Sequence, residues 1–326
     1  MMMPAWILSL LLAIATFSLH AQESPHDWCV RPTYCYASNP WDQSLDIAFD
    51  AGYRQDHLIW SQEGVGGSPN VAREQSWKHM RSFVLSGSFN YRFYDHLFLE
   101  GNGDYGRLFH GRMHDSSFSG DNESGELTST YFHAKRGHVF DYSGACGYEW
   151  SVIEGEWLLS PIAGYSQHVQ HFKGSHAEMV VGPTPGDLPN AKENYHTRWS
   201  GPWVGLNVKG FTFCNLRLYA EAQYHWAHFK AQGTDISNTL VETTYKQHAR
   251  RAYGIIGKAG AFYVWDPCWT FGFHGEWNSW RTKKGIQRDY TTVVTDAGST
   301  VTFVQTPLHH VHWHNISVVG SIVYHF

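Results

Sequence analysis

Ile316-Ser317-Val318-Val319-Gly320-Ser321-Ile322-Val323-Tyr324-His325-Phe326, the last eleven residues of the chain, carry two different faces. Side chains on a strand alternate sides, so Ile316, Val318, Gly320, Ile322, Tyr324 and Phe326 share one of them. That face is uniformly apolar and ends in two aromatic rings. The opposite face, Ser317, Val319, Ser321, Val323 and His325, is small and mixed, with a polar end. A membrane-crossing strand needs about 9–11 residues of this kind, and a lipid-facing band edged by aromatics marks outer-membrane barrels. The alternative for the same pattern is the closing strand of a soluble secreted sandwich.

The terminal aromatic-x-Phe resembles the closing strand of bacterial outer-membrane barrels, which implies recognition by the barrel-assembly machinery. At the other end, residues 1–21 contain no Asp, Glu, Lys or Arg, and Ala5 to Ser18 is nearly all apolar. This predicts a secretory signal peptide over 1–21, cleaved after Ala21, although its first residues lack the usual positive charge. No later apolar run approaches the roughly 20 residues of a membrane helix. If the chain crosses a membrane, it does so with strands.

Composition agrees with a single barrel domain over 44–326, preceded by a short segment, 22–43, expected in the periplasm. Aromatic residues make up 16% and charged residues only 16%, with a net charge of −5, so no basic footprint for nucleic acid exists. Five cysteines in an exported chain make disulfides possible. Cys214 and Cys268 fall at two short turns on the same edge, and Cys29 and Cys35 form the local candidate; Cys146, on a lipid-facing position, is expected to stay free. Bond formation needs Cα atoms within about 7 Å.

Alternation recurs along the chain. Leu45, Ile47, Phe49, Ala51 and Tyr53 share one face of a first strand; Phe83, Leu85, Phe89 and Tyr91 share one face of a second, at about 79–93; and a third starts at Leu97. Further strands follow through Phe140–Trp150, from Trp157 to about His171, and around Val204, Leu218, Ile255 and Phe271. Residues 113–130, 174–197, 231–246 and 282–306 are polar or lack periodicity and are predicted to be long exposed loops. Ten strands with short turns and long loops in alternation predict an all-β, ten-stranded antiparallel transmembrane β-barrel, with the long loops extracellular.

The segments Ile162-Ala163-Gly164-Tyr165, Gly201-Pro202-Trp203-Val204-Gly205-Leu206, Tyr219-Ala220-Glu221-Ala222-Gln223-Tyr224, Gly275-Glu276-Trp277-Asn278 with Lys283-Lys284-Gly285, and Gly320 to Phe326 together resemble the omptin family of outer-membrane proteases, in the same order. The cysteines suggest a chlamydia-type omptin-like protein. The resemblance implies a water-activating site made of an Asp pair facing an Asp-His pair at the top of the barrel. Here the first pair falls at Asp115 and Ser117, and the second at Asp235 and Ser237, so serine stands at two of four places, including that of the base. His225, His228 and His248 lie nearby but have no adjacent Asp at a suitable strand offset. The expectation is a protease fold without protease activity and without a cofactor, in which Asp115 and Asp235 are solvated loop carboxylates.

The same resemblance implies lipopolysaccharide binding. Tyr165 matches one position, Gln167 and Val169 depart at two others, and Arg198 and Arg250 fall at the basic ones. Two guanidiniums there suit bidentate pairing with lipid phosphates; equally, they fit as ordinary interfacial arginines. The run His309-His310-Val311-His312-Trp313-His314 puts three imidazoles on one face; i, i+2 spacing can hold a metal, but rings packed at the membrane boundary explain it better, and no metal is expected. The readings are therefore a surface or adhesion protein in contact with lipopolysaccharide, an active omptin-like endopeptidase, or a narrow porin-like channel. Against the channel, ten strands enclose little room once Glu100, Asp141, Glu149, Arg217, Glu221, Lys258, His274 and Glu276 point inward.

Overall fold

The computed structural model describes residues 44–326 other than 95, 153–156, 184, 214, 239, 240, 296 and 297. The expected signal peptide over 1–21, the segment 22–43 with Cys29 and Cys35, and Cys214 lie outside these residues. Cys146 is a free, exposed thiol on the barrel wall.

The strands are β1 (Ser44–Gln62), β2 (Arg73–Tyr94), β3 (Leu97–Gly120), β4 (Ser124–Tyr148), the short β5 (Trp150–Val152), β6 (Trp157–Val181), β7 (Gly186–Phe213), β8 (Leu216–Asn238), β9 (Val241–Val264), β10 (Trp269–Thr282), β11 (Gly285–Thr295) and β12 (Gly298–His325). Neighbours pair antiparallel in chain order, and β12 returns to β1 from Asp46↔His325 to Gln62↔Leu308, closing the ring. With β5 an appendage of β6, and β10 and β11 sharing one place in the wall, ten strands enclose the barrel. Phe326 completes the seam, its N–H donating to the Leu45 carbonyl at 2.9 Å.

The faces follow the alternation. Phe49, Phe83, Leu85, Phe273, Ile316 and Val318 stand exposed on the outer wall, each more than half uncovered. This is the wrong side for a soluble sandwich and the right one for lipid. At the short-turn end the rings of Trp269, Tyr324 and Phe326 stack edge to face at 4.7 and 4.6 Å, forming part of an aromatic girdle.

The stretches expected as long loops are strands. Residues 113–130 continue β3 and β4 around a tight hairpin, 174–197 extend β6 and β7, 231–246 extend β8 and β9, and 282–306 supply β11 and the top of β12. Backbone pairing does not require apolar alternation: above the lipid both outer groups and turns meet water, so polar strands are as stable there as apolar ones. At 28 residues, β12 rises roughly 70 Å along the barrel axis if tilted about 40°, far more than the apolar band of about 25 Å.

Inside, three layers succeed one another. At the short-turn end a polar cavity of about 260 Å³ is lined by Asp50, Glu100, Asp104, Lys209, Glu221, Lys258 and Glu276, among others. The Lys258 ammonium sits 3.6 Å from Glu221 and 3.7 Å from Glu276. Above it, Arg54 chelates Asp56 at 2.9 and 3.1 Å and reaches Asp141, which also meets His168 at 3.3 Å. The third layer is apolar: Trp60, Trp77, Phe172, Tyr195, Trp199, Phe229, Trp280 and Trp313 are almost entirely buried and pack across the whole bore. Trp280 and Trp313 stack at 5.7 Å, Trp77 and Tyr195 at 6.3 Å.

Candidate functional site: the rim above the aromatic layer

On top of the aromatic layer lies a ring of polar side chains. Alternation along β2 points Arg73, Gln75 and Trp77 inward; β3 contributes Asp115, β7 Glu193, β8 Asp235 and β9 Tyr245. The register sets Asp115 opposite Gln75, and Asp235 opposite both Glu193 and Thr243.

Arg73 organises the group. Its Nε donates to Asp115 Oδ1 at 2.8 Å, its Nη2 also meets Asp115 Oδ2, and the same Nη2 donates to Asp235 Oδ2 at 3.0 Å. The guanidinium lies 5.7 Å from the Trp60 ring and 5.8 Å from that of Tyr245, within cation–π range. Asp115 and Asp235 are therefore not the solvated loop carboxylates expected. Their side chains are about one-fifth exposed, sit on paired strands and share one cation. The structure brings together the two acids that the resemblance singled out, and does so through an arginine.

Of the two serines, Ser117 turns its hydroxyl to Thr128 at 2.6 Å. Ser237 belongs to β8, two residues beyond Asp235. The Ser–His contact observed in this region is elsewhere: His114 Nε2 lies 3.0 Å from Ser116 and 2.8 Å from Ser129 on the opposite face of β3, with Glu126 accepting from Ser116 rather than supporting the imidazole. A nucleophile needs its base oriented by a third group; here the acid is bonded to the serine.

Like Arg73 and Tyr245, Glu193 is a residue that sequence reasoning missed. It is fully buried; Oε1 accepts from the Tyr245 hydroxyl at 2.6 Å, and Oε2 has no partner among the described residues. About five residues, roughly 17 Å, separate it from Arg198 at the edge of the lipid band. Burial, and then the nearby Asp235 charge, hold its pKa well above the usual carboxylate range. Below the rim, Gln75 Oε1 accepts from Trp60 and Trp77, and the Gln247 amide donates to Gln287 at 2.7 Å.

The residues expected at lipopolysaccharide are spread along the outer wall. Tyr165 is half exposed on β6, and Arg198 on β7 lies directly across from Val169 and Lys230. Lys230 in turn faces His248, two residues before the exposed Arg250. The row therefore includes a lysine between the two arginines. The histidine run splits as alternation requires: Val311 and Trp313 point inward, while His314 stacks on His57 at 4.8 Å and His310 meets Ser61 at 2.9 Å. Among the described residues, no group of three or more His, Cys, Asp or Glu is placed to hold a metal ion.

A closed antiparallel ring with a lipid-facing outer band and a filled bore defines an outer-membrane β-barrel, and its shape is that of the omptins. It is similar to the outer membrane protease OmpT from Escherichia coli, with a TM-score of 0.76 at 14% identity, covering 89% of this chain and 99% of that one. The Pseudomonas putida toluene transporter TodX superposes far less well, at a TM-score of 0.32 and 9% identity over 90% of this chain and 95% of that one. No curated protein matches the sequence. Residues 48–326 match the family model described as Pom, Protochlamydia outer membrane protein, and the chain belongs to that family.

Proposed function

We propose that this barrel is a surface protein of the outer membrane that has no peptidase activity and contacts lipopolysaccharide through the cations of its outer wall, with the long hairpins outside the cell. The observation that carries the first part is Arg73. An omptin-type site needs a carboxylate beside a base, with a free second acid across the groove. In this chain both acids direct their oxygens to one guanidinium. Serine at the histidine position cannot accept a proton near neutral pH, and loss of a general base costs a factor of about 10² to 10⁴ in rate. The hairpins projecting beyond the lipid band supply the surface for an adhesive or structural role.

Support for the lipid contact is the distribution of charge. Arg107, Lys135, Arg136, Lys173, Arg198 and Lys230 are all exposed on the wall above the aliphatic band, whereas the acids nearest that level point into the bore. Lipid phosphates are the counter-charge such a girdle suits. A second reading, a narrow channel, is favoured by the charged cavity at the short-turn end; the aromatic layer closes it from above.

The test is cleavage of dibasic peptides by the barrel reconstituted with lipopolysaccharide. No cleavage is expected, and Ser117→Asp with Ser237→His should still be inactive until Arg73 is also replaced. Cleavage by the unmodified protein that Asp235→Ala abolishes would establish the endopeptidase reading instead. For the lipid contact, lipopolysaccharide should raise the melting midpoint of the native barrel more than that of a Tyr165→Ala, Arg198→Gln variant; an equal rise removes those residues from the proposal.

A further inference from the structure

The wall of the barrel divides once. Strand β9 pairs with β10 from Val264↔Thr270 up to Ala252↔Thr282, and with β11 from His248↔Ile286 onward. Between these registers Ala249, Arg250 and Arg251 pass the Lys283-Lys284 break with one backbone bond to it, from Lys283 N–H to the Arg251 carbonyl at 2.8 Å. Gly285 permits the crossing: a Cβ there would lie 2.6 Å from the His248 carbonyl oxygen. On the outside the division leaves a cleft of about 810 Å³ whose lining includes Lys246, Arg250, Arg251, Lys283, Lys284 and Arg288.

We infer that this cleft is a binding site for an anion carrying two or more phosphate or sulfate groups. Among the described residues, six cationic side chains line it and no carboxylate does. Lys284 is, among the described residues, the one tied to an acid, with its ammonium 2.7 Å from Glu63. Arg288 donates to a neutral amide, Gln305, at 3.2 Å, and the Lys246 ammonium lies over the Tyr290 ring at 5.9 Å. His248 registers the field: burial first, then Lys230, Arg250 and Arg288, keep its pKa below the ordinary imidazole value. The cluster is drawn from three segments, 246–251, 283–284 and 288, that converge only because the wall divides there. One phosphate cannot satisfy so many cations at once; clustered phosphates can, through paired guanidinium contacts.

Arg251 stands two residues, about 7 Å, above Tyr253 on β9, so the cleft opens at headgroup height and is also accessible from water. A membrane lipid with two phosphates and a soluble polyanion share the chemistry. The site is independent of Tyr165 and Arg198, and only Arg250 belongs to both; the lipid-headgroup source alone rests on the orientation proposed above.

The experiment uses the full barrel and tripolyphosphate as probe, measured by calorimetry in detergent. Saturable binding near one to one is expected, weakened tenfold or more by Arg251→Gln, Lys283→Gln, Arg288→Gln, and left within twofold by Lys78→Gln, Arg81→Gln, Arg112→Gln, exposed on β2 and β3 across the ring. Absence of saturable binding overturns the inference, as does equal weakening by both triple variants. Heat-modifiable migration verifies that each variant is folded, and Lys246→Gln replaces the first triple if that one fails to assemble. Nanodiscs then separate the sources. Tripolyphosphate binding lost in bisphosphorylated lipid A discs but kept in phosphatidylcholine discs assigns the cleft to a lipid headgroup; binding kept in both assigns it to a soluble anion. Failure of the Tyr165 and Arg198 variants to affect lipopolysaccharide leaves this result standing.

Discussion

Arg73 and Asp235 lie 162 positions apart and meet at 3.0 Å across the mouth of the barrel. The contact links β2 to β8, strands on different sides of the ring, and with Asp115 it forms a clamp over the aromatic layer. Two carboxylates from different strands thus share one guanidinium.

Removing that cation should be costly. With Arg73→Met, Asp115 and Asp235 face each other and the buried Glu193 without compensation, and breaking a buried pair in this way costs about 3 kcal/mol or more. The urea midpoint in detergent should drop, and Asp115→Asn with Asp235→Asn on the same background should recover most of the loss. No change in midpoint for Arg73→Met would show the clamp to be dispensable.

Glu193 gives the stability of the barrel a pH dependence of definite sign. Its folded-state pKa lies above the ordinary value, so the folded state binds the proton more tightly than the unfolded chain. Its contribution is complete below the ordinary carboxylate pKa and is lost as pH rises through the raised one. The difference in unfolding midpoint between Glu193→Gln and the native protein should grow in favour of the variant from pH 4 to pH 9. A constant difference over that range would mean that Glu193 is already ionised in the fold.

Trp280 and Trp313 close the bore. Replacing both by Ala should cost about 3–5 kcal/mol for each ring and join the polar cavity to the rim. In planar bilayers the native protein is expected to leave the baseline quiet and the double variant to pass current. Equal unitary conductance of the two proteins would locate the ion path elsewhere and favour the channel reading.

The closing seam depends on its terminal rings. Tyr324→Ser with Phe326→Ser removes the edge-to-face contacts at 4.6 and 4.7 Å, and the protein should accumulate as unassembled, protease-sensitive chain. Normal heat-modifiable migration of the double variant would show that the terminal aromatics are not the assembly signal.

What was legible in the sequence is the part of the barrel that touches lipid. From Leu45 to Tyr53, from Phe83 to Tyr91 and from Ile316 to Phe326, apolar and polar residues alternate because opposite faces meet hydrocarbon and a filled interior; that contrast decides register, strand number and closure. The sequence also carried the acids Asp115 and Asp235. Tertiary structure alone decided what they do. Arg73, Glu193, Tyr245 and Gln287 all come from stretches above the lipid, where the outer face meets water and binary patterning disappears, so those stretches read as loops or as the approach to a strand. Their inward pairs, such as Arg73 with Asp235, and the cleft where β9 leaves β10 for β11, depend on ring closure and strand stagger, which bring distant positions together without leaving a local signature. Basic residues at 246, 250 and 251, and again at 283, 284 and 288, were visible as charges, but only the division of the wall gathers them into one site.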